Sequence, residues 1–244
     1  MINPLAVVTV PTVFVHDVED PETSTERRFD IFTPLAELPF VDHPTIGTAV
    51  FLYPRGVRTL HAKAGRINIQ QSPDGALQAA IPHNVRLHER RLPGFEKSSP
   101  VSRSQSQLET TFAEAKRGAP LFSIVKGMTF ALIEISSLEV LGGRPEKVGG
   151  RSVHKIRTRM VNQIIEDPAT GSAACALSSF SSLHVFQETS LTYEITQGVE
   201  MERESNMMID VEVGKEADGI RKLESLHLGG KAVQVMSCFI TSRP

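Results

Sequence analysis

The chain has 244 residues, 40% hydrophobic and 22% charged, with no tryptophan and a net charge of −2. That is enough for one large domain or two lobes around an aliphatic core. The near-neutral charge gives no electrostatic basis for binding nucleic acid or an anionic membrane. Two cysteines, Cys175 and Cys238, make no disulfide framework in a chain this long. No run approaches the ~18 apolar residues of a membrane span. The start, Met1-Ile2-Asn3-Pro4-Leu5, does not read as a secretory leader, so a cytoplasmic, reducing location is expected.

In chain order, Leu5–Val10 and Val13–Val15 are apolar and β-branched, and Phe29–Thr33 alternates, so all three predict strands. Thr45–Leu52 predicts a short helix after Pro44. Ile67–Gln71 and Leu77–Ile81 flank Pro73-Asp74-Gly75 and predict a hairpin. Residues 95–107 are polar and Ser-rich, which fits an interlobe connector better than a recognition motif. Phe122–Val125 and Phe130–Ile135 predict strands. Gly142–Gly150 predicts a turn, because Lys147 is not followed by the Ser or Thr of a phosphate loop. Ala173–Phe186 predicts a helix; Leu191–Gln197, Met207–Val213 and Ala232–Ile240 predict strands. Many strands and few helices in two halves indicate a duplicated α/β (α+β) fold.

Two segments half a chain apart match each other. His43-Pro44-Thr45-Ile46-Gly47-Thr48-Ala49 and Asp167-Pro168-Ala169-Thr170-Gly171-Ser172-Ala173 each run from a titratable residue through Pro, two residues, Gly and a hydroxyl residue to Ala. Proline is favoured at a first helical position, and the residue before it is pushed towards a capping role. Each copy therefore predicts a helix start with a titratable cap, whose amides and dipole suit a carboxylate. One copy alone would be an ordinary helix start; two in matched halves predict a small-molecule site in a cleft between lobes.

Other chemistries find less support. The eight histidines show no metal-ligand spacing, so no metal is expected. Cys175, among Ala and Leu, reads as a buried structural thiol. Ser172 lacks the Gly-x-Ser-x-Gly frame of a serine hydrolase. Glu37 and Glu166 read as braces for the loops that lead into the two helices.

At Asn3–Val8, Phe32–Phe40 leading into His43–Ala49, Glu166–Ala174, Thr196-Gln197-Gly198 and Arg203-Glu204-Ser205, the sequence resembles the PhzF-like (phenazine biosynthesis-like) family of the diaminopimelate epimerase superfamily. The resemblance spans essentially the whole chain. It implies two pseudo-symmetric lobes, each with strands wrapped around a central helix: an N-terminal lobe over 1–100, a C-terminal lobe over 108–244 and the connector between. It also implies a homodimer and a cofactor-free isomerisation that moves a proton within a small carboxylated substrate. In that scheme Asp167, His43 and Ser172 line the site. Thr170 and Gly171 join Ser172 in holding the substrate, as do Gly47 and Thr48 of the first copy.

Three departures from the family pattern bear on activity. The chain begins almost at the family's Asn-Pro-Leu motif, so the first lobe is expected to be shortened and completed by the C-terminal strand. Pro11 stands where the family carries its principal acid/base Glu. Asp42 replaces a usual Gly before His43, which leaves two readings: Asp42 supplies the missing acid or base opposite Asp167, or it is a surface or capping residue. Glu202, before Arg203, also replaces a usual Gly and is expected to be solvated. An isomerase is the leading expectation. The alternative is a catalytically impaired homologue or ligand-binding protein.

Overall fold

The structure is a computed structural model that describes residues 11–34, 36–72, 75–91, 118–134, 146–162, 165–216, 219–234 and 237. The described chain divides into two compact units. One runs to Ala80 and resumes at Gly229; the other spans Ile81–Leu228.

The first unit contains β1 (Thr12–Val15), β2 (Glu26–Phe32), β3 (Glu37–Leu38), α1 (Asp42–Leu52), a 3-10 turn at Tyr53–Arg55, β4 (Thr59–Ala62), β5 (Gly65–Gln71) and β6 (Leu77–Ala80). Its strands lie in the order β1-β2-β4-β5-β6, with β3 on β2. β2 and β4 are parallel, and α1 lies in the connection between them. Arg27, Phe29 and Ile31 alternate inward along β2, as a half-buried strand requires. The Arg27 charge is satisfied by the carbonyls of Pro21, Ser24 and Glu26, at 2.7, 3.0 and 2.8 Å. On α1, Ile46, Ala49 and Leu52 are buried, and Ile46 Cγ2 lies 3.5 Å from where a Cβ on Gly230 would stand. The β5–β6 hairpin forms as expected, pairing Ile69 with Ala79 and Gln71 with Leu77, and Gly75 takes the left-handed φ of +86° that its turn needs.

The second unit contains β7 (Arg86–Arg91), β8 (Pro120–Val125), β9 (Met128–Ala131), β10 (Glu146–Val148), β11 (Arg151–Thr158), β12 (Met160–Asn162), β13 (Ile165–Asp167), α2 (Gly171–His184), β14 (Ser190–Gln197), a 3-10 turn at Val199–Met201, β15 (Ser205–Lys215) and β16 (Arg221–Gly230). The last two residues of β16 belong to the first unit. The order is β10-β11-β14-β15-β16, beside a β7-β8-β9 sheet and a β12-β13 hairpin. β11 and β14 are parallel; β12, β13 and α2 lie in the crossover. α2 packs on β8, β14 and β15. Its small residues Ala174, Cys175, Ala176, Ser178, Ser179 and Ser182 are all buried, which lets strands approach the helix on several sides. Tyr193 from β14 closes one side, its hydroxyl 2.8 Å from Ser182 Oγ; burial raises that phenol's pKa.

Several expectations need correction. The strand expected over Phe130–Ile135 ends at Ala131. Of the strand expected over Ala232–Ile240, residues 232–234 are irregular and most of the rest lies outside the described residues; a strand that was not expected spans Arg221–Gly230. Of the turn expected over Gly142–Gly150, Glu146–Val148 form β10 instead, residues 142–145 lie outside the described residues, and Gly149 and Gly150 make the turn, with φ of +57° and +86° between Val148 and its partner Arg151. Positive φ at both central residues is what a tight two-residue hairpin requires. Leu5–Val10, the connector 95–107 and Cys238 lie outside the described residues. No helix among them is long and apolar enough to cross a membrane. The described residues also contain no cluster of three or more His, Cys, Asp or Glu arranged to hold a metal ion.

Candidate functional site

The second motif is built from the end of a strand. β13 finishes at Asp167, Pro168 follows, and α2 begins at Gly171 with Thr170 in the capping position. Pro168 therefore stands ahead of the helix rather than at its first position, and Asp167 is not the cap. Asp167 instead folds back on its own turn: Oδ1 accepts from the Ala169 amide at 3.1 Å, and Oδ2 accepts from Thr170 Oγ1 at 2.7 Å. Such an Asx-type turn competes with continuation of the strand and redirects the chain. The helical ladder starts with Ala174 N–H donating to Thr170 O at 3.0 Å. Gly171 and Ser172 occupy the first turn and are buried, so the Asp167 carboxylate lies close to the positive end of the α2 dipole, a favourable place for negative charge.

The turn is held from behind by a residue that the site reading did not include. Gln197, at the end of β14, is only 1% exposed. Its Nε2 donates to the Asp167 carbonyl at 2.6 Å and to Thr170 Oγ1 at 3.1 Å, while its Oε1 accepts from Thr158 Oγ1 at 3.4 Å. The next residue, Gly198, has φ +78°, and a Cβ there would lie 2.4 Å from the Arg203 carbonyl oxygen and 2.8 Å from that of Pro168. The Thr196-Gln197-Gly198 motif was the available signal. Its glycine marks a close approach of three backbone segments.

Glu166 is the brace expected: Arg159 grips it with two hydrogen bonds of 2.8 and 2.7 Å. The Arg159 hydrogen bonds hold the Glu166 carboxyl below its ordinary pKa. Glu202 is exposed, as expected, and sits at φ +55°, a left-handed conformation. That conformation accounts physically for a preference for Gly at this position.

The first motif folds differently. α1 begins at Asp42, capped by extended Val41, and its ladder opens with Thr45 N–H donating to Val41 O at 3.2 Å. Asp42 and His43 are thus the first two helical residues and Pro44 the third. Proline is tolerated there because amides of the first turn have no ladder partner. His43 is accordingly not a cap. Asp42 is 2% exposed, which removes the surface reading and leaves a buried carboxylate in the first turn. The exposed ring of His43 stands beside it, Nδ1 3.8 Å from Asp42 Oδ2.

Gly47 is the sixth residue of α1, where its amide belongs to the ladder. A Cβ added to Gly47 would meet nothing within 4 Å. The Thr48 hydroxyl donates to Pro44 O at 2.7 Å. Gly47-Thr48 therefore does not occupy the helical position of Gly171-Ser172, and amides near Gly47 do not form the expected anion socket.

Asp42, His43, Gly47 and Thr48 belong to the first unit; Asp167, Thr170, Gly171 and Ser172 belong to the second. Within the first unit, Glu37 is braced by Lys63 Nζ at 2.8 Å. The same pair, with Arg28, His61 and Ala62, lines an open hollow of about 410 Å³. Pro11 immediately precedes β1, and its ring supplies no acid or base.

Comparison with known proteins places these motifs in context. A curated relative, an uncharacterized isomerase of Pasteurella multocida (strain Pm70), is 27% identical over 247 residues, covering 92% of this chain and 77% of the relative. Among solved structures, a PhzF-family phenazine biosynthesis protein from Bacillus anthracis superposes with a TM-score of 0.60 at 16% identity, over 92% of this chain and 82% of that one. A predicted epimerase from Pseudomonas aeruginosa gives 0.55 at 20% identity, over 95% and 86%. These likenesses establish the α/β fold. The family model for phenazine biosynthesis-like proteins (PhzC-PhzF) matches residues 8–238. On that match over nearly all of its length, the chain belongs to the phenazine biosynthesis-like family.

Proposed function

We propose that this protein is a PhzF-like isomerase that moves a proton within a small carboxylated metabolite without a cofactor. The reading is supported by family membership, by the isomerase relative and above all by one local arrangement. Asp167 is aimed by the Ala169 amide and the Thr170 hydroxyl at the start of α2. In this reading Asp167 takes and returns the proton, and His43 orients or polarises the substrate. Thr170, Gly171 and Ser172 receive its carboxylate at the positive end of α2. Gly47 leaves open space one helical turn beyond His43 for the substrate body, while Thr48 contributes by shaping α1. Buried Asp42 beside His43 is the group that replaces the family's acid/base Glu. The active form is a homodimer in the cytoplasm.

A second reading rests on Pro11. With no titratable side chain at the family's Glu position, the protein is a ligand-binding homologue without turnover. Mass spectrometry of solvent deuterium incorporation into a panel of small amino and hydroxy acids separates the two. Incorporation that disappears in Asp167→Asn supports the isomerase, and further dependence on Asp42→Asn identifies the second group. Incorporation unaffected by Asp167→Asn refutes the assignment of Asp167.

A further inference from the structure

We propose that Gln197 is a positioning residue whose side-chain amide, acting through Thr170, sets the orientation of the Asp167 carboxylate. The inference rests on the reading of Asp167 as the proton-transfer group.

The hydrogen-bond directions are fixed by chemistry. An amide nitrogen only donates, and Gln197 Nε2 faces two acceptors, Asp167 O at 2.6 Å and Thr170 Oγ1 at 3.1 Å. Rotating the amide by half a turn would place its oxygen against the Asp167 carbonyl and remove the acceptor facing Thr158 Oγ1. Because Thr170 Oγ1 accepts from Gln197, its own hydrogen is left to point at Asp167 Oδ2, 2.7 Å away. The relay runs in one direction, from Gln197 through Thr170 to Asp167. Its burial, with Gln197 1% and Thr170 6% exposed, keeps water from substituting for either partner. Gly198 then locks the strand end against the Pro168 carbonyl, so Gln197 cannot withdraw without moving the turn. The same carboxylate accepts from the Ala169 amide through Oδ1, so a carboxylate that swings away from Thr170 also loosens that bond.

The test is NMR on the full chain, with ¹³C-labelled aspartate and ¹⁵N-labelled backbone. Gln197→Met is expected to shift the Asp167 carboxyl resonance and to speed exchange of the Ala169 amide at least tenfold. Thr170→Val is expected to do the same, and the double variant to add nothing to either single change. Thr170→Ser, which keeps the hydroxyl, is expected to retain wild-type values. Loss of thermal stability in Gln197→Met with both signals unmoved overturns the proposal, as does a double variant whose effects sum. Should Gln197→Met fail to fold, Thr158→Val removes only the outer tie. It must move both signals in the same direction, and unmoved signals overturn the relay. None of these readouts needs a substrate, so absence of isomerase activity defeats the functional reading and leaves this one standing on its own test.

Discussion

Gln197 Nε2 and the carbonyl oxygen of Asp167 lie 2.6 Å apart across 30 residues of chain. This contact ties the end of one strand to the turn that opens the second helix. Its neighbour Gly198 makes the tie sensitive to a single methyl group.

Gly198→Ala is expected to destabilise the protein by about 3 kcal/mol or more. The new Cβ would strike two backbone oxygens, at 2.4 and 2.8 Å, and the φ of +78° adds strain for any residue with a Cβ. Urea unfolding followed by far-UV circular dichroism measures the loss. A change below 1 kcal/mol would mean that the turn is looser than described.

Glu202→Gly should stabilise by about 1 kcal/mol. The left-handed conformation at φ +55° costs a non-glycine residue about that much, and the exposed side chain contributes little in return. A rise in the urea midpoint with unchanged slope would agree; a fall would show that the Glu202 side chain makes a net favourable contact.

Acid should weaken the fold from about pH 6.5 downward. Burial lowers the pKa of His154, His184 and His227. All three are neutral in both states at high pH. As pH falls below the ordinary histidine value, the unfolded chain takes up protons that the folded chain resists, so stability declines. The lowered carboxyl of Glu166, held by Arg159, adds a second loss below its ordinary value of 4.5. His154 Nε2 is buried without a hydrogen-bond partner, and its ring lies 4.1 Å from that of Phe186 and 5.3 Å from that of Tyr193. His154→Phe should therefore keep the packing and move the acid onset lower. A thermal melt series from pH 8 to 5 that shows identical curves for the two proteins would contradict this.

Tyr193→Phe is expected to cost about 1–2 kcal/mol, because it leaves the fully buried Ser182 hydroxyl without its 2.8 Å partner. The double change with Ser182→Ala should recover part of that cost, which calorimetry of the four proteins would show. Full additivity would mean that the two hydroxyls do not act as a pair.

Apolar periodicity made β2, the β5–β6 hairpin, β8, β14 and β15 legible. The strands it missed conceal that pattern. β7 reads Arg-Leu-His-Glu-Arg-Arg and is largely exposed. β11 mixes Arg151, Lys155 and Arg157 with its buried residues, and β16 ends in Gly229-Gly230, which reads as a turn.

The two Pro motifs were legible as helix-associated turns but not in register. Near-identical spacing starts α1 at the residue before His43 and α2 four residues after Asp167. The difference comes from the hydroxyl of Thr170. It is bonded to Asp167 and backed by Gln197, whereas Thr45, the residue after Pro44, turns its hydroxyl back to Val41 O within α1. A partner 27 residues away is invisible to local spacing.

The first unit is assembled from chain before Ala80 and chain after Gly229. During synthesis its helix α1 can pack early on β1 and β6, but Gly230, the neighbour of Ile46, arrives only after residues 81–228 have been made. At ordinary ribosomal speeds that delay is on the order of ten seconds. The second unit is one contiguous stretch and is complete once Leu228 has emerged, just before Gly229. The nascent first unit therefore exposes an unfinished apolar face throughout, and slower elongation through residues 81–228 would lengthen its exposure to aggregation and to chaperones.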